Sequence, residues 1–219
     1  MPLALWQRKE IWVPTWTGWI TFLLLLGGGG AFVVSHAESF LAFSAPVPAD
    51  TLVVEGWISG AAIPAAVKEF QNGHYRYVVA VGGWTAQAVT PTLGHTYAQY
   101  IASRLLQAGC PSNCLLIALP SPNDTDRTFE QARSAWRLLR DRQITPLGLN
   151  VFTSGPHARR SRLVYRKTFG PGLPIGVISY QPEDSLQGVW WKDSLRGKQV
   201  IEETLGWLRE SLNHRSPEP

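Results

Sequence analysis

The chain has 219 residues, of which 45% are hydrophobic and 16% charged. That balance excludes both a disordered polar segment and a protein made wholly of membrane spans. The net charge of +4 is confined to one short segment, so a basic track for nucleic acid is excluded as well.

The first element is a membrane span. Ile11 to Ser35 contains no charged residue, and Trp16 to Val34 approaches the ~20 residues that a helix needs to cross a bilayer core. Arg8 and Lys9 precede it, and Trp6, Trp12, Trp16 and Trp19 crowd its start. The positive-inside rule and the interfacial preference of indoles then predict a cytoplasmic N-terminus and an exported remainder, in an inner or plasma membrane crossed once. Ser35–Ala37 reads "SHA" and fits a signal-peptidase site. An uncharged run of 25 residues is long against the roughly 7–15 of a signal-peptide apolar region, so a retained anchor is expected. The predicted organisation is 1–38 tip and anchor, 39–50 linker, 51–212 α/β domain and 213–219 tail.

Beyond the linker, short apolar runs alternate with helical patterns. Thr51–Gly56, Tyr77–Gly83, Leu115–Pro120, Leu147–Gly155 and Ile175–Ser179 read as buried parallel strands. Helices are expected near Pro64–Asn72, His95–Ala108, Arg127–Asp141, His157–Phe169 and Leu195–Leu212. This alternation predicts a Rossmann-like, doubly wound α/β domain with a mostly parallel five-stranded sheet. Cys110 and Cys114, in "CPSNC", lack the further ligands of a zinc site; a loop disulfide and two free thiols both remain open.

In such folds ligands bind outside the carboxyl ends of the strands. Glu55 follows the first strand, Gly82 and Gly83 the second, the loop with Asp124, Asp126, Arg127 and Thr128 the third, and Ser154 with His157 the fourth. Glu55, a carboxylate closing an apolar strand, needs a partner, for which Arg127 or Arg160 could serve. Asp126 fits an N-cap.

His157 to Lys167 is the most unusual segment. It holds one His, four Arg and one Lys in eleven positions. At 100° per residue Ala158, Ser161, Val164, Tyr165, Thr168 and Phe169 share a face, and Arg159, Arg160, Arg166 and Lys167 project from the other. After residue 38 there are 18 Lys and Arg against 14 Asp and Glu; without the five cations of this helix the balance is 13 against 14. Cations in a first helical turn oppose the macrodipole, whereas an anion bound there would draw backbone N–H groups and arginines together. An anion site using Arg159 and Arg160 is therefore expected.

Phosphate-loop, G-x-G-x-x-G, G-x-S-x-G and HExxH signatures are absent. The stretches "ADTLVVEGW", "VVAVGG", "DRTFEQA" and "FTSGPHARRSRLVYRKTFG" in this order after an anchor resemble the YdcF/ElyC/SanA-like envelope proteins. The resemblance covers Asp50 to Leu208. It implies a Rossmann-like domain and a role in peptidoglycan or lipid-carrier metabolism or in the envelope barrier. For one branch it implies binding of S-adenosylmethionine. The family's T-x-E-N pattern falls on Thr128 and Glu130, with Gln131 for the asparagine and Arg127 where another asparagine is common; its H-x-x-R falls on His157 and Arg160. This chain lacks the usual arginine near Ile58–Val67 and the acidic residue near Gly94–Thr96, and has Glu55 at a typically apolar position, as in a divergent subgroup.

Three functions are compatible with these residues. An enzyme on an anionic, phosphorylated or lipid-linked envelope precursor would use Arg159 and Arg160 to hold phosphate, His157 as general acid or base, and Glu55 or Asp126 to orient it, with Ser154 a weak nucleophile candidate. A noncatalytic module would bind a similar ligand, a nucleotide or an S-adenosylmethionine-like molecule, with the arginines Arg127, Arg159 and Arg160 positioning it beside Gly82, Gly83, Asp124, Thr128 and Ser154. A scaffold would set the basic helix against anionic lipid or an acidic partner, with Trp190 and Trp191 at the interface. No cofactor is named by the sequence, no metal set is visible, and the oligomeric state is open.

Overall fold

The structure is a computed structural model that describes residues 12–84, 96–121, 126–182, 188–215 and 217–218. It divides into two compact units, Met1–His36 and Ala37–Pro219. The first unit holds most of α1 (Trp16–Leu41), a 26-residue helix whose most apolar stretch is wholly unburied. Among the described residues it is the one helix long and apolar enough to cross a membrane.

The second unit is α/β. Its strands β1 (Thr51–Glu55), β2 (Tyr77–Val81), β3 (Leu115–Ala118), β4 (Leu149–Ser154) and β5 (Ile175–Tyr180) form one all-parallel sheet in the order β3-β2-β1-β4-β5. The helices α2 (Ala62–Asn72), α3 (Tyr97–Gln107), α4 (Arg127–Asp141), α5 (Ala158–Phe169) and α6 (Ser194–Leu212) complete it. Side chains alternate across a strand, so Leu52 and Val54 enter the core under α2 and α3, while Val53 enters the core under α4 and α5. This is the doubly wound fold expected, with both sheet faces covered, which is why its central strands read as unbroken apolar runs.

Two glycines are dictated by geometry. A Cβ on Gly82 would stand 2.5 Å from the Tyr97 Cβ and 2.7 Å from the Ala98 nitrogen, so α3 can approach the end of β2 only over a glycine. Gly155 has φ +49° and turns the chain out of β4 into a 3-10 turn, Gly155–His157, that leads into α5. Pro156 stands inside that 3-10 turn, and α5 begins at Ala158, one residue after the expected start at His157.

The chain before β1 packs on the β5 edge. Ala45 and Val177 exchange backbone hydrogen bonds of 2.8 and 3.2 Å, and the Asn150 side chain bonds the Val47 backbone in both directions. At the other end, Glu218 N–H donates to the Thr168 carbonyl at 3.0 Å.

Candidate functional site

The strand order diverges at β1 and β4, and the crevice beyond their carboxyl ends is where such sheets bind ligands. Glu55 ends β1. By alternation it points with Val53 into the α4/α5 layer, and it is fully buried. Its carboxylate accepts hydrogen bonds from the hydroxyl of Thr153 on β4, from the Ser161 hydroxyl on α5 at 2.9 Å and from the Trp57 indole N–H at 3.2 Å. Neither Arg127 nor Arg160, the partners expected from the sequence, pairs with it. Three neutral donors and the His157 ring, with Nε2 3.5 Å from Oε2, take their place. A buried carboxylate supplied with such donors avoids the cost of an unmet charge.

His157 closes the 3-10 turn and is buried. Its ring stands edge-to-face on Trp57, centroids 4.8 Å apart. Nδ1 lies 2.9 Å from Glu203 Oε1 and 3.1 Å from Arg160 Nη2. A lone pair on Nδ1 would face a carboxylate oxygen, so Nδ1–H donates to Glu203, and Nε2 is turned towards Glu55 Oε2. Nε2 is buried and has no hydrogen-bond partner among the described residues.

Arg160 fixes this arrangement. Its Nε and Nη2 donate to the two oxygens of Glu203 at 2.7 and 2.9 Å, and Nη1 donates to the Thr128 hydroxyl at 2.9 Å. Burial alone would raise the Glu203 carboxyl, but hydrogen bonds and charge from His157 and Arg160 outweigh it and hold the group at about 2. For Arg160, burial works against the charge, while the bonds and charge of Glu203 raise the guanidinium further. The fork needs space over α6: a Cβ on Gly206 would stand 2.9 Å from Arg160 Cδ.

His157, Arg160, Glu203 and Thr153 border a cavity of about 480 Å³ together with Trp57, Arg127 and, from α6, Gln199, Glu202 and Gly206; Glu55 and the expected ligand-binding residue Thr128 are buried and are not among its lining residues. Ser154 and His157 line it; Ser154 Oγ and His157 Nε2 are buried and lack a hydrogen-bond partner among the described residues. Arg127 is exposed, 5.7 Å from the Trp57 ring centroid. No carboxylate pairs with it among the described residues. Gly82 and Gly83 line a smaller adjoining pocket that shares Trp57 and Arg127.

Two expected site residues lie elsewhere. Asp126 does not cap α4 with its side chain; its carboxylate pairs with Arg215, whose guanidinium also meets Glu210 at 2.9 Å. It is neutralised by the tail and does not line the cavity. Arg159 donates to the Phe40 carbonyl, and its guanidinium sits 3.7 Å from the Phe40 ring centroid and 4.1 Å from that of Phe43. One residue of helical rotation separates it from Arg160 and turns it away from the cavity. Asp124 lies outside the described residues.

The basic helix is thus consumed largely within the fold. Arg162 donates to the Ile175 carbonyl at 3.0 Å, and the Lys167 ammonium donates to the carbonyls of Glu210 and Asn213 at the end of α6, where cations complement the helix dipole. Of the two arginines expected to form the anion site, Arg159 faces aromatic rings, whereas Arg160 lines the cavity with its fork held by Glu203. Among the described residues Arg127 is the cavity-lining cation without a carboxylate partner.

The sequence reading passed over Glu203, Trp57, Thr153 and Ser161. A signal existed for the first: Val200, Glu203 and Glu210 are buried together on α6, and carboxylates on the apolar face of an amphipathic helix require partners. No family model and no curated protein matches this chain.

Proposed function

We propose that the chain is a membrane-anchored, exported α/β protein that binds and acts on an anionic, phosphorylated cell-envelope precursor, as its likeness to the YdcF/ElyC/SanA-like proteins implies. The observation that carries this reading is the His157 ring, which lines a cavity of about 480 Å³: Nδ1 is backed by an ionised Glu203, and Nε2 is buried 3.5 Å from Glu55 Oε2 without a hydrogen-bond partner among the described residues. A carboxylate behind one nitrogen orients the imidazole and supports a proton taken up at the other.

Arg127 at the rim holds the negative group of the ligand. His157 accepts a proton at Nε2 from water, or from a ligand hydroxyl, as the attacking oxygen forms its bond to phosphorus, and returns it to the departing oxygen as the old P–O bond breaks. Glu55 faces Nε2 and stabilises the imidazolium in between. Arg160 and Thr128 act through Glu203, as positioning residues.

The test uses the full chain in lipid nanodiscs, with isoprenyl monophosphate and diphosphate as probes, followed by calorimetric binding and by phosphate release. Binding weakened several-fold by Arg127→Gln, and turnover lost with binding kept in His157→Gln, is the expected result. Binding without turnover in the unaltered chain leaves a ligand-binding module. Failure of the unaltered chain to bind either probe refutes the proposal.

A further inference from the structure

Helix α6 buries one face and leaves an apolar one exposed. Val200, Glu203 and Glu210 are buried on the inner one. On the outer one Ile201, Leu205, Leu208 and Leu212 follow each other at spacings of four, three and four, one stripe along the helix. Leu205 is 62% exposed and Leu212 79%. Leu195 in the first turn, and Val189 and Trp191 just before it, are also exposed. A helix whose outer face met only water would carry charge there, and a contiguous exposed apolar patch marks an interaction surface.

Two observations identify what covers it. Exposed cations border the stripe: Lys192, Lys198 and Arg209. Lys198 has only an exposed 3.8 Å pair with Glu202, and Lys192 and Arg209 have no carboxylate partner among the described residues. An apolar stripe with tryptophan and basic flanks is the composition of a helix that lies in a membrane interface. The second observation is a tether. Arg196 in the first turn of α6 holds Glu38 through bonds of 3.0 and 2.6 Å, and Trp207 packs edge-to-face on Phe40 with centroids 5.1 Å apart. Glu38 and Phe40 belong to the α/β unit. Val34, the last apolar residue of the uncharged stretch, precedes Glu38 by four residues, a reach of at most ~14 Å of chain.

We propose that the outer face of α6, with Val189 and Trp191, seats on the anionic surface of the membrane that α1 crosses. This rests on reading α1 as an anchor and not on the chemistry of His157. Because α6 also contributes Gln199, Glu202 and Gly206 to the cavity wall, the seat brings the mouth of the cavity to headgroup level. That placement selects a lipid-linked phosphate over a freely diffusing one.

The experiment uses the full chain in nanodiscs containing phosphatidylglycerol, in a Cys110→Ala, Cys114→Ser background checked by circular dichroism. Single cysteines at Leu205, at Lys68 on α2 and at Leu25 in α1 carry an environment-sensitive fluorophore. The expected result is quenching of the Leu205 label by a headgroup-level spin-labelled lipid, with several-fold weaker quenching by aqueous iodide than at Lys68. Quenching in lipid at Leu25 with an iodide-accessible Leu205 label overturns the seat and leaves the anchor standing. A Leu205 label shielded from iodide yet untouched by the lipid quencher points to a protein partner or second copy, and overturns it too. If the Leu25 label is not in lipid, the anchor reading fails and this proposal with it. Hydrogen exchange on the unaltered chain needs no substitution: α6 amides should exchange more slowly in phosphatidylglycerol nanodiscs than in uncharged micelles, and equal rates overturn the proposal.

Discussion

Replacing Arg160 by Gln tests the core of the site. From the sequence alone the substitution is expected to weaken stability barely or even to raise it, because it removes a cation from the positive end of a helix, an effect of about 0.3–1 kcal/mol. The structure reverses that sign. Arg160 gives Glu203 two hydrogen bonds of 2.7 and 2.9 Å, and Glu203 has a side chain only 11% exposed. Breaking a buried pair by removing one partner costs about 3–5 kcal/mol. With the Arg160 side chain itself 22% exposed, and with the dipole relief subtracted, a net loss of roughly 2–3 kcal/mol is expected. At ~2–4 °C per kcal/mol for a domain of this size, the thermal midpoint should fall by roughly 5–10 °C. Tryptophan-monitored unfolding of the full chain in detergent measures it, with Arg166→Gln as the control; Arg166 is exposed and should shift stability by no more than ~0.5 kcal/mol. Arg160→Gln combined with Glu203→Gln should be less destabilised than the sum of the two. Equal, small effects at 160 and 166 would falsify the assignment of Arg160 to Glu203.

Three further outcomes follow from the same geometry. Glu203 is lowered from 4.5 to about 2 in the folded protein, so its stabilisation is complete above about pH 4.5 and is lost as pH falls towards 2; acid titration should remove about 3 kcal/mol over that window, and Glu203→Gln should flatten that limb. Ser161→Ala leaves Glu55 Oε1 without its 2.9 Å donor, an expected loss of ~1–3 kcal/mol in chemical denaturation; no loss would mean that water fills the place of the hydroxyl. Gly206→Ala brings a Cβ to 2.9 Å from Arg160 Cδ and should displace the fork, costing turnover or binding more than its helix-propensity gain of up to ~1 kcal/mol restores in stability; full retention of function would show that Arg160 can move.

The fold was legible because parallel strands are buried on both faces and so read as continuous apolar runs. Arg127–Asp141 was expected as a helix from its amphipathic period, and α4 has those bounds. The buried face of α5, including Ala158, Ser161, Val164, Tyr165 and Thr168, also follows from period alone. The site was legible only in part. Strand ends pointed to Glu55, Ser154 and His157, but period cannot distinguish Arg159 from Arg160, neighbours on one polar face whose partners, Phe40 and Glu203, come from opposite ends of the chain. Asp126 has the right type and position for a cap; its carboxylate is claimed by Arg215, a contact with no local sequence signature.

The carboxylate behind His157 comes from α6, which follows the last strand of the sheet. A chain that emerges N-terminus first can pair β1 with β4, and set Glu55 beside Ser161, before Glu203 has left the ribosome. Until then the imidazole has no backing carboxylate and Arg160 no counter-charge. A product clipped before α6 that kept its sheet would lack the carboxylate that orients the His157 ring and the counter-charge of Arg160.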